Sequence, residues 1–172
     1  MSKTLALAAT LSLLASPAVA EGWYADAGYQ FISIDEDGVD ADLGAITGHL
    51  GYNFNEYVSV EGEAGVGVQD ETIDTFVGDV DVELNYVVGA YLRGELPISD
   101  RATLFARAGA VNAEIEVSIA GFNDSGSDTG IGYGAGGEFM VGPDFGFRGE
   151  YTRYDIEDLE ADAFTIAAVW KF

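Results

Sequence analysis

From residue 22 onward, apolar side chains alternate with polar or small ones over stretches of about ten residues, and no apolar stripe of helical period persists beyond a turn or two. Eight stretches carry this period of two, near 22–34, 43–54, 57–69, 81–96, 102–117, 129–141, 145–155 and 162–172. Each predicts a strand with two unlike faces. In the third, Val58, Val60, Ala64, Val66 and Val68 oppose Ser59, Glu61, Glu63 and Gln69. In the fourth, Val82, Leu84, Tyr86, Val88, Ala90, Leu92 and Leu96 oppose Glu83, Asn85, Tyr91, Arg93 and Glu95. In the seventh, Phe147 and Tyr151 oppose Arg148, Glu150 and Thr152. The eighth places Phe164, Ile166, Ala168, Trp170 and Phe172 on one side. The fifth changes phase: Leu104, Ala106, Ala108 and Ala110 form its apolar set at first, then Val111, Ala113, Ile115 and Val117. Either a bulge near Gly109 restores the register, or the second half projects above the rest.

The connections alternate in length. Short polar links at 53–57, 97–101 and 142–144 take turns with longer segments near 35–42, 70–81, 118–128 and 155–162. Tight turns on one side and longer loops on the other, between strands of about 9–11 residues, describe a barrel that crosses a membrane. The predicted fold class is therefore all-β, an eight-stranded antiparallel up-and-down transmembrane β-barrel. The competing arrangement is a soluble barrel with the apolar face inward. Eight strands enclose a space only just wide enough to be filled by side chains, and the bulky Leu, Tyr, Val, Phe and Trp of the apolar faces would overfill it. The glycine-rich polar face fits better, so the apolar face is expected to point outward.

Composition narrows the reading. Residues 1–20, MSKTLALAATLSLLASPAVA, combine Lys3, an apolar run from Leu5 to Leu14 and the small-residue ending Ala18-Val19-Ala20, the pattern of a signal peptide cleaved before Glu21. That leaves residues 21–172 as one barrel domain. The run falls short of the ~20 residues a spanning helix needs. The chain has no cysteine, so an exported domain of this size must rely on packing or on a closed hydrogen-bond network. With 30 acidic residues against seven Lys and Arg, the net charge is −23, and a nucleic-acid partner is not expected.

The opening GWYADAGYQF, the hairpin GAYLRGELPISDRATLFARAGAV, the seventh-stretch FRGEYTRYDI and the terminal VWKF, in that order behind a signal peptide, resemble the eight-stranded outer-membrane β-barrel family that includes the transmembrane domain of OmpA and the opacity-like surface proteins. The resemblance spans nearly the whole chain after residue 20. It implies the outer membrane of a Gram-negative bacterium, contact with lipid and lipopolysaccharide, and a monomer. It also implies an assembly signal read by the barrel assembly machinery, carried here by Phe164, Ile166, Trp170 and Phe172. Trp23 and Tyr57 would join these residues in an aromatic girdle. The chain ends with the barrel, so cell-wall anchoring through a peptidoglycan-binding domain is not expected.

The polar faces propose a barrel-interior charge network of Glu61, Glu63, Glu83, Arg93, Glu95, Arg107, Glu138, Arg148, Glu150 and Lys171. Charges in a narrow interior must be paired, because an unpaired buried ion costs several kcal/mol or more. Such a set reads as a structural salt-bridge network or as the lining of a narrow water path. The four longer segments hold 17 acidic residues and no Lys, Arg or His. Asp35, Asp37, Asp40 and Asp42 offer oxygen ligands for weak divalent-cation binding, without the spacing or closing Glu of an EF-hand. The alternative is a solvated acidic rim.

Catalytic patterns are missing. His49, the one histidine, lies beside Thr47 in the second stretch with no Ser/His/acid spacing. The GxGxxG-like run Gly132–Gly137 sits in a strand with no helix after it, outside the context a dinucleotide site requires. No cofactor is expected and the protein is not expected to be an enzyme. The expected role is structural or surface-interacting, with four acidic extracellular loops displayed over a filled barrel. A narrow cation-preferring diffusion channel is the alternative, and a soluble periplasmic ligand carrier comes third.

Overall fold

A computed structural model describes residues 22–36, 39–69, 71–75, 78–119, 122–156 and 159–172. The strands are β1 (Trp23–Glu36), β2 (Val39–Asn53), β3 (Val58–Gln69), β4 (Glu71–Thr75), β5 (Gly78–Ser99), β6 (Ala102–Ile119), β7 (Phe122–Met140), β8 (Phe145–Ile156) and β9 (Leu159–Lys171). Strands adjacent in the chain pair antiparallel, apart from the break at residue 70, where β3 and β4 follow one another along the same edge of β5. Nine segments therefore make eight staves. β1 pairs with β9 from Tyr24↔Lys171 to Ile34↔Ala161, which closes the ring. Closure removes the free edges that lipid could not hydrogen-bond.

The apolar face is outward. Leu92 and Leu96 are 61% and 59% exposed while Arg93 between them is 1% exposed. β3 repeats this alternation from Val58 to Val66, with Ser59, Glu61 and Glu63 buried and the valines exposed, and in β8 Phe147 and Tyr151 are exposed while Arg148, Glu150 and Thr152 are buried. A water-soluble barrel would show the reverse. At the short-turn end, aromatic rings meet edge to face or tilted: Trp23 with Tyr52 at 5.2 Å, Tyr52 with Phe54 at 5.5 Å, and Phe145 with Trp170 at 5.4 Å. Amphipathic rings collect at a membrane–water boundary in this way.

The short turns owe their shape to side chains that satisfy the backbone. Asn55 Oδ1 accepts from the N–H of Tyr57 (2.8 Å) and of Val58 (3.0 Å), and Ser99 Oγ accepts from the N–H of Arg101 (3.3 Å) and of Ala102 (3.1 Å). The opposite end differs from the sequence expectation. The segments 35–42, 70–81, 118–128 and 155–162 are not loops for most of their length, because the ladders continue to Glu36↔Val39, Thr75↔Gly78, Ile119↔Phe122 and Ile156↔Leu159. Their acids alternate with Val39, Ile73, Val80, Ile119 and Ile156, and β-branched residues sustain a strand wherever its backbone finds a partner.

Three register expectations are corrected. β6 pairs with β7 without interruption from Ala102 to Ile119, so no bulge lies near Gly109. Phe105, Arg107, Val111 and Ala113 are all buried on one face. What changes at Gly109 is the chemistry of the interior, not the phase of the strand. A bulge occurs instead in β5, where the pairing steps from Leu84↔Ile115 to Tyr86↔Glu114, and it turns both Leu84 and Val87 inward. Leu84 is thus an interior residue and not an outward one. Likewise Gln69, expected on the inner face, is exposed beside a register shift opposite Gly44 and accepts from Tyr29 Oη at 3.1 Å.

Inside, glycine makes room for rings. A Cβ at Gly51 would lie 2.1 Å from Tyr24 Cζ, so the Tyr24 ring can lie inward only because this position has no side chain. The interior is layered along the axis. Charged residues fill the part nearer the short turns, and an apolar cluster including Ile32, Ile34, Leu43, Leu84, Val87, Val111 and Ile156 fills the long-hairpin end.

Candidate functional site

Three arginines occupy the charged layer, each from a different stave: Arg93 on β5, Arg107 on β6 and Arg148 on β8. Glu61 on β3 meets all three. Its Oε1 accepts from Arg107 Nη1 (2.8 Å) and Arg148 Nη2 (3.0 Å), and its Oε2 lies 2.7 Å from Arg148 Nη1 and 3.3 Å from Arg93 Nη1. Tyr24 on β1 donates to the same Oε2 at 2.7 Å. Four other staves therefore converge on one carboxylate.

The remaining carboxylates separate the guanidinium groups. Arg93 Nη2 reaches Glu138 Oε1 at 2.6 Å, and Lys171 Nζ approaches the other Glu138 oxygen at 3.3 Å. Arg107 Nη2 lies 2.6 Å from Glu63 Oε2, Arg148 Nη1 lies 2.8 Å from Asp26 Oδ2, and both Arg107 and Arg148 touch Glu150. Glu95 is 3.5 Å from Arg93 Nε and accepts from Ser59 Oγ at 2.8 Å. Rings supply further contact: the Phe105 ring lies 3.9 Å from Arg93 and 4.6 Å from Arg148, and the Tyr91 ring lies 4.1 Å from Arg107. Electron-rich faces attract guanidinium groups without adding charge.

The structure brings together Glu61, Glu63, Arg93, Glu95, Arg107, Glu138, Arg148, Glu150 and, from the short-turn end, Lys171. The side chain of Glu83 lies outside the described residues. Sequence reasoning left out Asp26 and Tyr24, and it saw His49 only as an isolated histidine. His49 Nδ1 lies 2.6 Å from Asp26 Oδ1 and its Nε2 lies 3.1 Å from Glu63 Oε2. A ring with a carboxylate oxygen at each nitrogen is satisfied when both nitrogens carry protons. The imidazole thus joins the network at both nitrogens. The signal was present: Asp26 shares the inner face of β1 with Tyr24 and Gln30 and stands opposite His49 in the β1–β2 ladder.

The other assigned residues lie elsewhere. Phe164, Ile166, Trp170 and Phe172 are exposed along the outer face of β9 and beyond it, and the Phe172 N–H donates to Trp23 O at 2.9 Å. Asp37 falls outside the described residues, as do residues 1–21. Asp35 and Asp40 face one another in the β1–β2 ladder, and Asp42 accepts from Ser33 Oγ at 2.8 Å. Among the described residues, no three His, Cys, Asp or Glu side chains are grouped to hold a metal ion. Among the described residues no helix is long and apolar enough to cross a membrane, which does not bear on a barrel.

Comparison with known proteins agrees with this geometry. Residues 4–172 match the family described as outer membrane protein beta-barrel domain. A search of the curated proteins found no match. Among solved structures, the attachment invasion locus protein Ail of Yersinia pestis, in complex with the heparin analogue sucrose octasulfate, is 24% identical with a TM-score of 0.67, covering 88% of this chain and 99% of that one. Neisserial surface protein A superimposes with a TM-score of 0.71 at 14% identity, covering 87% and 97%. OprG from Pseudomonas aeruginosa gives 0.62 at 11% identity, covering 88% and 96%. At these identities the likeness is one of fold.

Proposed function

Because this chain belongs to the outer membrane protein beta-barrel family, and with it to the outer membrane of a Gram-negative bacterium, we propose that it is a sealed barrel whose function lies at its acidic, externally displayed hairpins. The observation that carries the proposal is the closed charge layer. Arg93, Arg107 and Arg148 are each 3% exposed or less and are bonded to Glu61, Arg93 from the neighbouring stave and Arg148 from across the lumen. A continuous water path would have to break these bonds and leave buried ions unpaired, at about 3–5 kcal/mol for each partner removed.

The rim then decides what is met outside. Short turns face the periplasm and longer connections the exterior in barrels of this kind, so the four acidic hairpins face outward. They carry 17 acids and no bases. The solved Ail structure contains a polyanion, and a ligand of that charge is repelled here. The expected partners are cationic surfaces, or lipopolysaccharide bridged through divalent cations held diffusely by carboxylates such as Asp42. Phe164, Ile166, Trp170 and Phe172 are assigned to recognition by the barrel assembly machinery, and the barrel acts as a monomer without a cofactor and without an enzymatic step.

Single-channel recording of the refolded protein in a planar bilayer tests the sealed barrel. Folded protein is expected to leave the bilayer silent. Discrete conductance steps that change when Glu61 is replaced would overturn the reading in favour of the cation-preferring channel.

A further inference from the structure

The ring is closed along its lipid-facing length, but at the long-hairpin end one strand outruns its neighbour. β7 pairs with β6 without interruption as far as Phe122, whereas its pairing with β8 stops at Ile131↔Asp155. β8 then turns back into β9 at Ile156↔Leu159. From Phe122 to Ser127, β7 therefore has a ladder partner on one side and, among the described residues, none on the other. Parity identifies the groups on the open side. The Met140 N–H donates to the O of Arg101, just before β6, the Val141 N–H donates to Phe145 O at the start of β8, and Asp128 O accepts from Asn112 Nδ2 on β6 at 2.9 Å. Even-numbered residues of β7 thus turn their backbone groups to β6, and Asn123, Ser125 and Ser127 turn theirs to the open side.

A row of unpaired N–H and C=O groups is a template for another strand, and proteins guard such edges with Pro, Lys, a bulge or a short length. Here the sequence FNDSGSDTG (122–130) contains neither Pro nor Lys, and its ladder with β6 has no bulge. What it carries is charge of one sign. Asp124 and Asp128 lie in it with no base, and a strand added there would have one end at the β8–β9 hairpin, where Asp155 and Glu160 stand opposite each other. Arg153 on that hairpin is already paired with Glu160 and Asp162.

We propose that the open edge of β7, from Phe122 to Ser127, is a docking site for an extended, basic polypeptide segment of another protein, which adds to the sheet as a further strand. This rests on the reading that the acidic hairpins meet cationic partners, and it adds the mode of recognition. Backbone hydrogen bonds to Asn123, Ser125 and Ser127 supply affinity, and the carboxylates select a basic segment. A second copy of this chain brings the same acids and is repelled. Lipopolysaccharide offers no row of alternating N–H and C=O groups.

Two peptides of equal charge separate the edge from the field around it. A capped octapeptide of alternating Lys and Val can extend as a strand, whereas one of alternating Lys and Pro lacks every second N–H and has its Pro φ held at about −65°. Solvent exchange of backbone amides is followed by NMR on the folded protein in lipid nanodiscs. The Lys-Val peptide is expected to slow exchange at Asn123, Ser125 and Ser127, to leave Asp124 and Gly126 unchanged, and to bind about tenfold more tightly than the Lys-Pro peptide. Ser125→Pro removes an N–H from the open side without touching the ladder to β6, and is expected to abolish that difference while leaving Lys-Pro binding as it was. Equal binding of the two peptides without slowed exchange would overturn the edge proposal and leave the acidic-hairpin reading standing, and binding of neither at low salt would overturn both. Slowed exchange at these amides without peptide, rising with protein concentration, would assign the edge to a second copy and overturn the proposal. The peptide comparison on the unaltered protein stands even if Ser125→Pro fails to fold.

Discussion

Arg148 exemplifies the residues that hold the interior together. It is 1% exposed and bonded to Asp26, Glu61 and Glu150, which belong to three staves. Replacing it by methionine keeps much of the volume but leaves three carboxylates short of a cation. Arg148→Met is expected to lose about 3–5 kcal/mol of stability, measured as the shift in urea unfolding followed by tryptophan fluorescence in detergent micelles. A loss under about 1 kcal/mol would mean that the carboxylates are satisfied by other means. Removing both sides of the pair is less costly than removing one, since a buried pair replaced by apolar groups is often neutral. Arg148→Met combined with Glu61→Leu should therefore fall short of the sum of the two single losses.

At the level of the strand, each stave works as a boundary between two solvents. On β9, Thr165, Ala167 and Val169 are buried, and Phe164, Ile166 and Trp170 are exposed to what must be lipid. Ile166→Arg places a charge in that band and is expected to cost about 2–4 kcal/mol near the bilayer midplane, read from the folding equilibrium into lipid vesicles. In a soluble barrel with this face in water, the same change would fall within about 0.5 kcal/mol, so the measurement separates the two arrangements. The strand also shows what alternation reveals and what it hides. Parity along β3 was legible because one face is apolar throughout and the other is not, and along β8 because Phe147 and Tyr151 oppose Arg148, Glu150 and Thr152. Parity along β6 was not, since its inner face passes from Phe105 and Arg107 to Val111 and Ala113. A pattern read as polar-in and apolar-out has no way to register an interior that is itself apolar at one end.

For the molecule as a whole, charge separates by place. The cations of the described interior are consumed by pairing, and the acids of the hairpins far outnumber the bases beside them, Arg153 pairing with Glu160 and Asp162 on the β8–β9 hairpin. The folded protein is expected to pass through a heparin column unretained at low salt and to bind an anion exchanger strongly, with retention on the exchanger falling as salt screens the rim. Retention on heparin at about 0.1 M salt would show a basic surface that the sequence does not contain and would overturn the acidic-rim reading. The field is collective, so no single hairpin substitution should alter this behaviour by much.

The sequence by itself determined the number of staves, the outward direction of the apolar face and the presence of charges within. Each follows from local alternation and turn chemistry, which depend on residues only a few positions apart. Only the tertiary structure decided which charges meet. Glu61 and Arg148 are 87 residues apart and touch because ring closure and stagger bring β3 and β8 to face each other across the lumen. Pairing along both edges of β2 gave His49 its two carboxylates, Asp26 and Glu63, and a bulge in β5 turned Leu84 inward. Contacts across a lumen depend on the geometry of the whole ring, and no short stretch of chain contains it.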